Sequence, residues 1–233
     1  MSTETNANSP TPLRLLFIGN SATYVNDIPG TLKNLAEKAG YPIECERIVK
    51  GGAKLSYHAD PTTPHGQQIT EALQKKYDVV FIQDNGNCIS SDEMRIASQH
   101  ACETLSTAIR ASGAEVGIYF RPPYGHELCG LDPIEQCLEF DKHFLQISNT
   151  VSALNVFVNR AFAEAIKQTN FDLWGPDHAH TSAHGAFLAV CVFFSTLFQI
   201  SSGVLDTNGL PPKDAAALQA IADKVALDGK YPW

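Results

Sequence analysis

The chain has 233 residues and 44% hydrophobic content, enough for one soluble domain with a full apolar core. Its formal net charge of −8 argues against nucleic acid and against anionic membrane surfaces as partners. No apolar run reaches the roughly 18 residues that a membrane-spanning helix needs. The six cysteines (Cys45, Cys88, Cys102, Cys129, Cys137 and Cys191) are scattered, with no CxxC pair, and read as reduced thiols of a cytoplasmic protein. Cys129 and Cys137 could pair if the protein were oxidised, but the reduced reading is the one expected.

Residues 1–12 are polar, with neither a basic start nor an apolar core, and read as a disordered lead and not a signal peptide. From residue 13 onward, short apolar runs alternate with longer helical ones, and 13–233 reads as a single domain. The first strand is expected at 13–18, followed by a helix at 28–39 that Asn26-Asp27 opens, Pro29 starts and Gly40 closes. Strands follow at 43–49, 78–82, 115–120 and 154–158, with helices at roughly 66–76, 92–112 and 133–153 between them. A largely apolar helix is expected at 183–198, and 211–233 reads as a helix with a tail. Strand-helix alternation of this kind predicts parallel strands joined by crossover helices, hence a three-layer α/β domain. The continuously apolar run Val79-Val80-Phe81-Ile82 suits a strand covered on both faces.

Two separated stretches carry the chemistry. Gly19-Asn20-Ser21 ends the first strand, where ligands of an open parallel sheet bind and where a helix N-terminus offers free N–H groups. Far downstream, Asp177 precedes His180 by three residues, so the carboxylate can orient the imidazole that takes the serine proton. Read singly, each has a plainer meaning: a strand-to-helix turn for the first, an Asp helix cap beside exposed histidines for the second. His180 and His184, spaced i, i+4 near Asp177 and His178, leave a metal-dependent hydrolase open as an alternative. Gly51-Gly52 after the second strand and Gln83, Asn85 or Asn87 after the third could complete an oxyanion site. Tyr24, His58, Trp174 and the 119–124 segment with Arg121 are candidates for the mouth of the site. Arg121 could bind a carboxylate or a sugar hydroxyl, or make a structural salt bridge.

Taken together these blocks resemble the SGNH (GDSL-like) hydrolases. Gly19-Asn20-Ser21 resembles the first block, with Asn in place of the usual Asp. Gly51-Gly52 resembles the second, and Asp177-x-x-His180 the last. The run Phe17 to Tyr24 looks like a bacterial-type subgroup with Gly-Asn-Ser in its first block. The third block departs from the family's Gly-x-Asn-Asp. The resemblance implies a flavodoxin-like doubly wound sheet of about five parallel strands in order 2-1-3-4-5, and no cofactor. It also implies Ser21 as nucleophile, His180 as general base and acid, Asp177 as its orienter, and an oxyanion hole from the Ser21 and Gly52 N–H groups. Gln83 is the first choice of side-chain donor to that hole and Asn85 the second. His184 is expected as a pocket wall or as a support for His180. The implied substrate is a small-molecule ester with a small acyl group, such as acetyl on a carbohydrate. The irregular third block keeps a weakly catalytic module that binds a glycan or acyl ligand open as another alternative.

Overall fold

The computed structural model describes residues 11–126 and 131–228. Five strands, β1 (Leu13–Gly19), β2 (Ile43–Val49), β3 (Val79–Ile82), β4 (Glu115–Tyr119) and β5 (Leu154–Val156), form one parallel sheet in the order β2-β1-β3-β4-β5. The helices are α1 (Ser21–Tyr24), α2 (Ile28–Lys38), α3 (Leu55–Ala59), α4 (Pro64–Ala72), α5 (Asp92–Ala111), α6 (Pro133–Val151), α7 (Val158–Gln168), α8 (Ala183–Phe198) and α9 (Pro212–Ala226). The expected α/β class and strand order are those observed. The last strand is shorter than 154–158, because Val158 already opens α7.

The period of two along a strand sends alternate side chains to opposite faces. Leu15 and Phe17 of β1, Val79 and Phe81 of β3 and Tyr119 of β4 enter one core, which α2, α7, α8 and α9 cover. Leu16, Ile18, Val80, Ile82, Val116 and Ile118 enter the other, beneath α3, α4, α5 and α6. Phe193 of α8 packs edge-on against Phe17, Phe81 and Tyr119, with ring centroids 4.9–5.5 Å apart. Each such ring, fully buried, contributes roughly 1.5–3 kcal/mol of transfer free energy. Packing of this kind, more than helix propensity, holds α8 in place; among the described residues no helix is long and apolar enough to cross a membrane. α9 docks on its own domain through Ala215, Leu218, Ile221, Ala222 and Val225; the tail expected beyond it runs into residues 229–233, outside the described residues.

The edge strand β2 carries Glu44, Glu46 and Arg47, charges that discourage edge-to-edge pairing with another chain. Arg47 binds Asp27, and Lys75 binds Glu46 at 2.6 Å. The helix starts at Ile28 as expected, with Asp27 in the N-cap position of α2 but without a side-chain cap bond. The thiols of Cys88, Cys102, Cys137 and Cys191 are buried and free, and burial pushes all four well above the usual thiol range. Cys137 donates to the Asn159 carbonyl at 3.1 Å; Cys129, with which it could pair on oxidation, lies outside the described residues.

Two imidazoles are buried as neutral rings. Desolvation pushes His58 and His143 down to about 4, each with one ring nitrogen unpartnered. Both protonate more readily in the unfolded chain, near pH 6.5. Their contribution is therefore present above that value and lost as pH falls towards 4. Urea unfolding at pH 7 and at pH 4.5 should show a loss of up to about 3 kcal/mol for each ring. His143→Gln should remove about half of that dependence; equal wild-type stability at both pH values would contradict it.

Candidate active site

The sheet reverses its winding between β1 and β3, and open parallel sheets bind ligands beyond the strand ends at that point. A cavity of about 380 Å³ lies there, lined by Asn20, Ser21, Ala22, Gly52, Asn85, Asn87, Arg121, Tyr124, Ala179 and His180. The loops after β1, β2, β3 and β4 all contribute, together with the 174–182 loop.

Ser21 is the first residue of α1, set beyond the last buried residue of β1. Asn20 fixes this turn with both ends of its amide. Its Oδ1 accepts from Ala22 N at 3.1 Å, capping α1, while its Nδ2 donates to the Ala53 carbonyl at 3.1 Å. An aspartate could make the first bond but not the second. Asn20→Asp would set a carboxylate oxygen against a buried carbonyl. It should cost about 1–3 kcal/mol in urea unfolding, and wild-type stability would show that the Ala53 contact carries no weight.

Gly52 sits at φ +67°, in the left-handed region that glycine enters without strain. The Asn85 Nδ2 donates to its carbonyl at 3.3 Å, which orients the Gly52 peptide. The N–H groups of Ser21 and Gly52 have no acceptor among the described residues. Both belong to residues of the cavity wall.

His180 is placed by a closed loop. Trp174 bridges to Thr181, Gly175 N donates to the His180 carbonyl at 2.8 Å, and Ser182 N donates to Leu173 O at 3.0 Å. Asp177 Oδ1 accepts from the N–H groups of Ala179 and His180, and its Oδ2 meets His180 Nδ1 at 2.6 Å. The hydrogen bond from the His180 ring, aided by the His180 N–H, holds the Asp177 carboxyl down to about 2. It stays ionised across the neutral range and favours the ring tautomer with hydrogen on Nδ1, leaving Nε2 as an acceptor. No hydrogen bond joins His180 to Ser21 among the described residues; in unliganded sites such bonds are often long until substrate binds.

The chain superposes on a candidate SGNH hydrolase from Slackia heliotrinireducens with a TM-score of 0.69 and 27% identity, covering 80% of this chain and 100% of that one. The fold is that of the SGNH hydrolases. A DUF4886 family protein from Bacteroides uniformis is also similar, with a TM-score of 0.80, 16% identity and coverage of 95% and 97%. An acetylxylan esterase from Geobacillus stearothermophilus has a TM-score of 0.59 and 17% identity, covering 80% of this chain and 94% of that one. No family model and no curated protein matches the sequence. At 17% identity, the acetylxylan esterase shows a shared fold.

Within this SGNH fold, several expected site residues lie elsewhere. Gln83 is buried beneath Ser21 and does not line the cavity. Its Oε1 accepts from Asn20 N and Thr23 Oγ1, both at 3.1 Å, and its Nε2 donates to the Asp84 carbonyl. Asn85, the second choice, takes the cavity position. His184 faces Asp214, 3.3 Å from its Nε2, and stacks on Phe171, away from the cavity. The expected i, i+4 pair of histidines is not formed: α8 starts at Ala183 behind the Ser182 cap, leaving His180 in the loop. Among the described residues no group of three or more His, Cys, Asp or Glu side chains could hold a metal ion. Trp174 lies outside the wall as well; its Nε1 donates to the Pro123 carbonyl at 2.9 Å and ties the His180 loop to the loop after β4. Tyr24 is half-exposed beside Gly51, and His58 is buried behind the site with its Nε2 donating to the Gly19 carbonyl at 2.8 Å.

Two contacts escape a reading of the sequence. Asn26, in the left-handed region at φ 61°, donates from Nδ2 to the Thr181 carbonyl and so links the α1–α2 turn to the residue after His180. Asp84 accepts from the N–H groups of Leu55 and Asn85 at 2.8 and 2.7 Å, which fixes the loops carrying Gly52 and Asn85. Asparagine's tolerance of positive φ was the one available signal for Asn26; nothing local marks Asp84.

Proposed function

We propose that the protein is a serine esterase. Ser21 Oγ attacks an acyl carbonyl while His180 Nε2 takes its proton. The oxyanion is held by the N–H groups of Ser21 and Gly52 and by the second hydrogen of the Asn85 amide. Collapse breaks the ester bond, and the departing alkoxide receives the proton from His180. Water, deprotonated by the same ring, then attacks the acyl-enzyme and returns Ser21 with the free acid. Asp177 fixes the ring and stabilises its charge throughout.

The observation that carries this reading is one cavity holding Ser21, two unused N–H groups and an imidazole bonded at 2.6 Å to an ionised carboxylate. Small acyl groups, acetyl on a carbohydrate first, are the proposed substrates. The cavity of about 380 Å³ suits them, and an acetylxylan esterase shares the fold. The test is p-nitrophenyl acetate turnover with and without EDTA. Activity that EDTA leaves unchanged is expected; loss with EDTA would move the chemistry to a metal. Asn85→Ala should lower kcat by about 10²–10³ with KM little changed. Wild-type kcat in that variant would remove Asn85 from the oxyanion hole.

A further inference from the structure

Arg121 follows β4 and lines the Ser21 cavity, yet only 3% of it is exposed. Its guanidinium stacks on the Tyr124 ring at 4.0 Å, with Phe140 at 5.9 Å. Its Nε has no hydrogen-bond partner, and among the described residues no carboxylate lies within 4.0 Å of it. Asp84, a buried carboxylate just after β3, is engaged with the Leu55 and Asn85 N–H groups. The packing is close: a Cβ on Gly86 would stand 2.3 Å from Arg121 Nη1 and 2.2 Å from Tyr124 Cε2.

A buried guanidinium is always charged, and buried charges are costly unless a counter-charge accompanies them. Here the neighbours that fix its plane are aromatic and supply no negative charge. Arg121 also lines the cavity that holds the nucleophile. The guanidinium fork matches a carboxylate with two parallel hydrogen bonds, an arrangement that a neutral hydroxyl cannot reproduce. We propose that Arg121 binds a carboxylate carried by the substrate, so that the preferred esters are acidic ones. This rests on the assignment of Ser21 as nucleophile, since it takes the same cavity as the ester site.

The carboxylate could belong to the alcohol, as in an acetylated uronic acid, or to the acyl group, as in a succinyl half-ester. Wild-type kcat/KM should be compared for acetylated glucuronate against acetylated glucose, and for p-nitrophenyl hemisuccinate against p-nitrophenyl acetate. At least a tenfold preference for the acidic member of one pair is expected, and the pair that shows it locates the carboxylate. Arg121→Gln should bring that ratio close to one, and Arg121→Lys should restore only part of it. Ratios near one in the wild type for both pairs would overturn the proposal even if both variants fail to fold.

Binding separates this proposal from the esterase assignment. In calorimetry with Ser21→Ala protein, glucuronate or succinate should bind, whereas glucose should not. Binding without turnover of any ester by the wild type would leave the carboxylate site standing and remove the esterase. Equal binding of glucose, no binding of either acid, or tighter binding of glucose 6-phosphate would overturn the carboxylate site itself.

Discussion

Ser21→Ala is expected to lower kcat for p-nitrophenyl acetate by about 10⁵–10⁶-fold, the scale on which loss of a serine nucleophile acts in hydrolases. The residual rate would come from the oxyanion donors, which the substitution leaves in place because the Ser21 contribution is a backbone N–H. Stability should not change. The Ser21 hydroxyl makes no hydrogen bond among the described residues, and the α1 cap belongs to the Asn20 side chain. A thermal midpoint within about a degree of wild type, with activity gone, is the expected pair of results. Activity within tenfold of wild type would rule Ser21 out, and a large drop in melting temperature would assign it a structural role instead.

Asp177→Asn is expected to lower kcat by about 10⁴-fold, the loss seen when the orienting carboxylate of such a triad becomes an amide. The new Nδ2 would meet His180 Nδ1, donor against donor, at the position now bridged at 2.6 Å. The ring would be driven to the tautomer with hydrogen on Nε2, which cannot accept the serine proton. Oδ1 would still accept from Ala179 and His180 N–H, so the loop keeps its shape. The Asp177 side chain is 54% exposed, and exposed ion pairs contribute at most about 1 kcal/mol. Unfolding free energy should therefore stay close to wild type. Because Asp177 is held down to about 2, its ionisation does not intervene near neutrality. The acid limb of kcat/KM should then follow protonation of an imidazole, and His180→Ala should abolish it along with the rate. Retained activity in Asp177→Asn would mean that the imidazole needs no orienter.

The sheet was legible in the sequence because a buried parallel strand has to be apolar on both faces, and Leu15 to Ile18 and Val79 to Ile82 are. Helix ends were less so. Asp27 has the right chemistry for a cap, but Arg47, twenty residues later, engages its carboxylate. Ser21, Gly52, Asp177 and His180 stand out as candidates in the sequence because local turn chemistry and short spacing mark them. The structure brings Ser21, Gly52 and His180 to one cavity with Asp177 bonded to the imidazole. Gln83 misled because the choice among three nearby amides depends on which one the backbone turns inward. That is set by its bonds to Asn20 and Thr23, sixty residues away. His184 misled for a related reason: an i, i+4 spacing has meaning only inside a helix, and the Ser182 cap starts α8 after His180. Arg121 could not be judged from sequence at all. Whether an arginine after a strand is paired or unpaired depends on carboxylates contributed by distant segments.

The most direct test of the account is labelling by a fluorophosphonate, with the adduct located by mass spectrometry of the intact protein and its peptides. The account predicts one adduct, on Ser21, absent in Ser21→Ala and formed far more slowly in His180→Ala. An unlabelled wild-type protein, or an adduct on any other residue, would contradict it.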